Sequence, residues 1–422
     1  MSGAHSAATE PPAPKRKGEV KRKHTVGRVV LVSTLVLALV TALSVVFFYR
    51  HLNGNIDTES LSALGDDRPE KIYRGNGEPL NLLVMGDDTR SGEGNDIDSE
   101  SGGGGSDTTI LVHLSADRQR SYAISIPRDS IVQRPECGDS SAASDQKWNA
   151  AYSVGGPLCT VAQLEENADV FVDHFVVVDF NGFGEMVDAV GGVPVCVPED
   201  IEDPAHQIFV PAGDPSLLTG DEALDYVRAR YVGELAQQND ISRIRRQQTF
   251  IAALIREVKS AGTLTRLDKV VRFLDAATDS LKTDTGLGTV TRIGKIAMQL
   301  QDVGLDQIQF VTVPTEYYPS DSEFRGSVFW TEDAEKIWQL INEDKPLPPS
   351  VLDTAITAEP PETSSEAQGE DTGASPGSES PSETAQPEET PSESPTEEAT
   401  PTEEVSPTEA ATPKETVPGV CA

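Results

Sequence analysis

The strongest constraint on this chain is a run of 21 residues without a charge, VVLVSTLVLALVTALSVVFFY, at positions 29–49. At about 1.5 Å per residue, a helix of that length crosses a hydrocarbon layer of about 30 Å. Lys15, Arg16, Lys17, Lys21, Arg22, Lys23 and Arg28 precede it. Positive charge stays cytoplasmic, which sends everything after Arg50 outside the cell. A cleaved signal peptide is the rival reading. Its apolar region normally covers about 7–15 residues and ends at a small-residue cleavage site. This run is longer and continues into Phe47, Phe48, Tyr49 and Arg50, so the expectation is an uncleaved signal anchor.

The anchor divides the remainder. Residues 1–28 read as a basic cytoplasmic tail, 50–78 as a polar extracellular tether, and 79–345 as one large patterned domain able to bury a sizeable core. From 346 to 422 the chain turns to Pro, Glu, Ser and Thr with almost no aromatic residues. Such a segment buries too little apolar surface to offset its ordering entropy, so a disordered spacer or an inert tail is expected. GEGNDIDSESGGGG (92–105) reads as a flexible loop inside the domain.

Within the domain, LNLLVMG (80–86), TTILVHL (108–114), SYAISIP (121–127), HFVVVDF (174–180) and IQFVTVP (308–314) have strand character. Several are nearly continuous in Val, Ile and Leu, as strands covered on both faces are. Helical spacing occurs at 160–168, 181–190, 220–229, 240–261, 266–280 and 331–342. The alternation predicts a three-layer α/β/α domain around a central mixed sheet, preceded by one transmembrane helix and followed by a disordered tail.

Charge narrows the partners. The net charge is −35, of which residues 1–50 carry +6 and 351–422 carry −16, so 51–350 carry −25. A nucleic-acid partner is excluded for such a surface, because phosphate-backbone binding needs a basic face. The four cysteines (Cys137, Cys159, Cys196, Cys421) all follow the span. An even number in an oxidising compartment suggests disulfides, with three pairings possible. Cys137 with Cys159 is preferred, since the Asp-, Ser- and Gly-rich loop between them would gain from a clasp.

Against this acidity, Arg228, Arg230, Arg243, Arg245 and Arg246 fall within 19 residues. NDISRIRRQQTFIAALIREVKSAG (239–262) is patterned as a helix, with Asp240 as N-cap, a stripe of Ile and Leu, and Gly262 to close it. Arg243 shares a face with Arg246 and Gln247. Cations in a first turn oppose the helix dipole unless an anion is bound there. A charged face paired with Glu222, Asp225 and Glu234 is the plain alternative; as a group at a helix start, the arginines favour an anion site. A polyphosphate site usually pairs arginines with a divalent cation. Asp87 and Asp88 after one strand, and Asp107 before another, offer hard oxygen ligands for Mg²⁺, although turn or capping roles suit aspartates equally. SIPRDS (125–130) places Arg128 beyond a strand end, and KWNAAYSVGGP (147–157) adds Lys147, Asn149 and Tyr152.

Taken in order, LNLLVMGDDTR, SDTTILVHLSADR, SIPRD, KWNAAYSVGGP, VDFNGFGEMVDAVGGVPVCVP, LTGDEALDYVRAR and DISRIRRQQTFIAAL resemble the LytR-CpsA-Psr family over about 79–315. LVHLSADR and FLDAATDSL (273–281) are closest to its actinobacterial branch. The resemblance implies an enzyme that moves a glycopolymer from a polyprenyl-pyrophosphate carrier in the cytoplasmic membrane onto a peptidoglycan acceptor, forming a phosphodiester. Carried over by motif, Asp88 and Asp107 resemble the Mg²⁺ carboxylates. Arg128, Lys147, Arg228, Arg230, Arg243 and Gln247 resemble the pyrophosphate ligands, and Asp240 with Arg243 lies nearest the chemistry. One departure is Gly105, where the family often has an arginine before Ser-Asp-Thr.

Physically, displacement at phosphorus needs neutralised equatorial and leaving oxygens and an in-line nucleophile. Asp240 is the expected group to orient or deprotonate the attacking hydroxyl. Apolar residues within 160–190 and 251–297 are the candidates to line a lipid tunnel. Two alternatives use the same site: a carrier-binding module without chemistry, and a lipid-pyrophosphate hydrolase with water as acceptor.

Overall fold

The computed structural model describes residues 25–73, 75, 77–87, 105–204, 206–229, 240–259 and 266–359. Asp88, Arg230, Cys421, the stretch 92–104, the first 24 residues and the chain beyond 359 lie outside the described residues.

The apolar run forms helix α1 (Thr25–Asn55). It is long and apolar enough to cross a membrane, and its most apolar window is not buried by the rest of the protein. It is a candidate single-pass anchor. The helix outlasts the apolar run and enters the domain. Leu52 and Ile56 are buried, His51 Nε2 meets Asp275 Oδ1 at 3.0 Å, and Asn53 Oδ1 accepts from the Val290 amide at 3.0 Å. The segment read as a tether, 50–78, therefore begins as docked structure. Its β1 (Asp57–Glu59) is an edge strand of the central sheet, and Leu61 and Leu64 pack on the core. A three-residue strand carries too little periodicity to be recognised beforehand.

After β1 come β2 (Leu80–Asp87), β3 (Ser106–Leu114), β4 (Ser121–Ile126), the hairpin β5 (Ile131–Arg134) and β6 (Ala143–Lys147), and α2 (Ala150–Ala168). Next are β7 (His174–Asp179), α3 (Phe180–Val190), β8 (Val193–Val197), β9 (Ile201–Asp203), β10 (Ile208–Val210), β11 (Gly213–Leu218), α4 (Gly220–Arg228) and α5 (Asp240–Lys259). The chain continues through α6 (Leu267–Asp279), β12 (Leu281–Asp284), α7 (Val290–Gln301), β13 (Ile308–Thr312), β14 (Thr315–Tyr317) and β15 (Val328–Trp330). It reaches the end of the described residues with α8 (Glu332–Asn342), α9 (Pro349–Leu352) and β16 (Ile356–Thr357).

Eight strands form the central sheet in the order β1-β12-β7-β2-β3-β4-β13-β16. It is mixed: β2 runs parallel to β7 and antiparallel to β3, and β4 is antiparallel to β3 and parallel to β13. Side chains alternate between its faces. Leu111 and Ile124 pack with Val161 and Leu164 of α2 and Ile337 and Ile341 of α8. Their neighbours Ile110 and Ala123 pack on the opposite face with Ile251 and Ile255 of α5 and Leu300 of α7. The expected three layers are present. The stretch assigned to the tail from 346 contributes structure as well. Val351, Leu352 and Ile356 lie against the two core clusters, and β16 pairs with β13. Averaged composition concealed this short apolar segment within a polar one.

Cys137 and Cys159 form a disulfide with Cα atoms 5.4 Å apart, the preferred pairing. Cys196 is also disulfide-bonded. The bridge explains Gly155: a Cβ there would lie 2.8 Å from Cys159 Cβ and 3.0 Å from Cys137 Cβ. Gly155 and Gly156 leave helical geometry and kink α2, with Pro157 completing the break. The Gly-Gly-Pro is thus a kink inside a longer helix.

Candidate active site

One end of the sheet collects the charged groups. β2 and β7 are parallel neighbours, and their last residues, Asp87 and Asp179, are in register. β3 runs the other way, so its start, with Asp107, lies at the same end. Thr109 pairs with Ile126 across β3 and β4. Two residues further out, Asp107 and Arg128 are therefore cross-strand neighbours. Pro127 has ended the strand between them.

Arg128 Nη1 donates to both oxygens of Asp107, at 2.8 and 2.9 Å. Arg243, projecting from the first turn of α5, donates from Nη1 to Asp107 Oδ2 and from Nη2 to the Asp107 carbonyl, both at 3.2 Å. Asp240 completes the arrangement: its Oδ1 lies 2.5 Å from Arg243 Nη2 and 3.4 Å from Arg128 Nε. Two guanidinium groups and two carboxylates thus alternate around a closed ring. Asp240 is already helical, in the first turn of α5, rather than an N-cap; an acid there still complements the helix dipole. Burial opposes the charge on Arg128, but Asp107, then Asp240 and Asp129, outweigh it and raise the guanidinium above its ordinary range.

Lys147 joins through Asp129, with Nζ 2.6 Å from Asp129 Oδ1; Asp129 in turn lies 3.5 Å from Arg128 Nε. Arg228, at the end of α4, stacks its guanidinium 5.3 Å from the Phe180 ring centre. Gln247, expected among the pyrophosphate ligands, donates from Nε2 to the Val227 carbonyl at 3.3 Å while lining the same cavity as Arg228 and Arg243. The other two described arginines of the cluster do different work. Arg245 reaches the Thr354 carbonyl at 3.0 Å on the far side of α5. Arg246 is fully buried and donates to the carbonyl of Ala229. Burial lowers its guanidinium to about 10, with Tyr226 opposing and Arg243 adding to that fall.

Behind the ring is a cavity of about 280 Å³ between the sheet and helices α3 and α5. Asp107, Arg228 and Arg243 line its polar end, and Ile110, Phe183, Met186, Ile251 and Leu254 its apolar part. The tunnel ranges read from sequence contribute here through α3 and α5. The helix 160–168 does not; it packs on the opposite face.

Two contributors were not anticipated. Asp179 is raised above the ordinary carboxylate range, first by burial, against a bond from the Gly182 amide, and also by Asp87. Its signal was present: HFVVVD ends a strand on an acid as VMGD does. Tyr317 is raised by burial and then by Asp240 and Asp129. It arrives on the β14–β15 hairpin, and no local pattern marks it. Tyr152 donates to Asp87 Oδ2 at 2.9 Å.

For a divalent cation the donors fit in kind: carboxylates from adjacent strand ends, few in number, as suits Mg²⁺, which keeps waters for phosphates to replace. Among the described residues, no three His, Cys, Asp or Glu side chains group closely enough to enclose an ion. Among the described residues, a Cβ at Gly105 would meet only Ser153 Oγ, at 3.5 Å.

A sequence model described as the LytR_cpsA_psr family matches residues 47–346. The cell wall biosynthesis protein LcpA of Corynebacterium glutamicum is 27% identical over 317 residues, covering 67% of this chain and 60% of that protein. The polyisoprenyl-teichoic acid–peptidoglycan teichoic acid transferase TagV of Bacillus subtilis is 30% identical over 264 residues, covering 61% of this chain and 63% of that protein. The chain therefore spans about 60% of the length of these relatives. In fold it is similar to the crystal structure of protein gbs0355 from Streptococcus agalactiae, with a TM-score of 0.52 at 22% identity over 64% of this chain and 90% of that one.

Proposed function

Since the chain belongs to the LytR-CpsA-Psr family, we propose that it transfers a glycopolymer from a polyprenyl-pyrophosphate carrier to peptidoglycan, outside the cytoplasmic membrane. The observation that carries this reading is the ring of Asp107, Arg128, Asp240 and Arg243 at the polar end of an apolar cavity. A partly buried array of guanidinium groups is suited to a pyrophosphate, and the apolar space beside it to the first part of a lipid chain. The names of LcpA and TagV, as a cell wall biosynthesis protein and a teichoic acid transferase to peptidoglycan, support the same class of reaction. The basic segment before α1 supports a cytoplasmic N-terminus and an exported domain.

In this reading an acceptor hydroxyl attacks the phosphorus that bears the sugar. A new P–O bond forms, the bridging P–O bond breaks, and polyprenyl phosphate leaves. Arg128 and Arg243 stabilise the equatorial and leaving oxygens, where fixed charges act with little reorganisation. Lys147, Arg228, Arg230 and Gln247 complete the cradle. Asp240 takes the hydroxyl proton. In support, its Oδ1 is held by both arginines, while its buried Oδ2 accepts no hydrogen bond among the described residues. Mg²⁺ held by Asp88 and Asp107 would neutralise pyrophosphate charge.

The test is reconstituted transfer with the full chain, a labelled lipid-linked pyrophosphate sugar, peptidoglycan fragments and Mg²⁺. Label on the fragments supports the proposal. Tight carrier binding without product, or phosphosugar released to water alone, overturns it.

A further inference from the structure

The junction between α1 and the domain contains no slack. Tyr49 ends the apolar run and Leu52 is already buried in the domain. Three helical residues rise only about 4.5 Å. The headgroup zone on each side of a bilayer is about 5–8 Å deep, from roughly 30 Å of hydrocarbon within about 40–45 Å overall. The residues that contact the last turn of α1 are therefore held at headgroup depth.

Two helices make those contacts. α6 does so through Asp275, which meets His51. α7 does so through its first residue, whose amide donates to Asn53. α7 has an unusual surface for this protein. The region 51–350 carries −25, yet VTRIGKIAMQLQ holds Arg292 and Lys295 and no acid. Ile293, Ile296 and Leu300 turn inward, with Leu300 on the core. Thr291, Lys295 and Met298 share the outward face at helical spacing, and Met298 is 66% exposed. An acid-free helix with a cation beside an exposed apolar side chain matches an anionic headgroup layer.

We propose that the outward face of α7 rests on the anionic headgroups of the bilayer that α1 spans, fixing the orientation of the domain. The inference rests on α1 being a membrane span and is independent of the reaction. Ordinary helix-to-solvent packing would give no reason for this face to lack acids while the surrounding chain is rich in them.

The experiment uses the full chain in vesicles of phosphatidylglycerol and phosphatidylcholine. An environment-sensitive fluorophore is placed at Met298→Cys, at Leu39→Cys within the span, or at Lys336→Cys on the exposed side of α8, across the sheet. The expected result is that the 298 label is strongly quenched by headgroup-linked nitroxide lipid and shielded from iodide. The 336 label should show neither, and the 39 label should be quenched by chain-linked nitroxide. A 298 label that behaves like the 336 label, with the 39 label still buried, overturns the proposal. A 39 label exposed to iodide overturns the membrane span itself. Arg292→Glu with Lys295→Glu should abolish the quenching at 298; quenching that persists would overturn the electrostatic basis.

Discussion

Arg128 uses a single nitrogen, Nη1, to bind both oxygens of Asp107, at 2.8 and 2.9 Å. Its other terminal nitrogen donates to no described residue. Its Nε lies 3.4 Å from Asp240 Oδ1, so in the proposed reading the second terminal nitrogen is the one that would meet an anion. Arg128→Ala is expected to reduce transfer by about 10²–10³-fold, mainly in kcat, the usual loss for one oxyanion-stabilising donor. Arg128→Lys should recover only part of it, because a point charge cannot reproduce the planar fork. Steady-state kinetics of both variants check this.

Arg246 predicts a different phenotype from its neighbour. It is buried and its bond goes to the carbonyl of Ala229, which closes α4 beside Arg228. Arg246→Met keeps much of the volume but leaves a buried carbonyl without its donor. A loss of about 1–3 kcal/mol in stability is expected. Denaturant unfolding of the full chain in detergent measures it; no change would mean that the carbonyl finds another donor.

The disulfide encloses Lys147 and the start of α2, at a sequence separation of 22. Cys137→Ser with Cys159→Ser should cost about 3 kcal/mol, the loop-closure value for a chain of this size. The same unfolding experiment, with and without reductant, checks it. Reductant should lower the stability of the unsubstituted protein and have a smaller effect on the double variant.

Asp179 gives a pH dependence of defined sign. Its folded pKa is raised, by burial first and by Asp87, so the folded state holds the proton more tightly than the unfolded chain. The stability linked to this proton is fully present below the unfolded value and disappears as pH rises through the folded one. Asp179→Asn retains a capping side chain for Gly182. The variant should gain stability relative to the parent as pH rises through and above the ordinary carboxylate range. Urea titrations at several pH values would reveal it; a difference independent of pH would contradict the assigned shift.

What the sequence disclosed and concealed follows from the physics of each segment. All five strands read from apolar runs are present within a few residues, since strands covered on both faces need nearly uninterrupted Val, Ile and Leu. α7 escaped notice because Gly294 and two cations interrupt its stripe. β1, β12 and β16 escaped because strands of two to four residues have no periodicity to show. At the site, Arg128, Asp107, Asp240 and Arg243 were legible as separate charges, and the structure joins them into one ring. Their mutual pairing depends on strand register and on where α5 begins, which no local pattern encodes. The five arginines also did not share one fate. Arg243 and Arg228 reach the cavity, whereas Arg245 and Arg246 are committed elsewhere.

The central claim is that Arg128 and Arg243 hold a pyrophosphate. Calorimetric titration of a short-chain prenyl pyrophosphate into the full chain tests it most directly, alongside Arg128→Ala and Arg243→Ala. The account predicts that each variant binds at least about tenfold more weakly, a loss of about 1.4 kcal/mol or more. Affinities equal to that of the unsubstituted protein would contradict it.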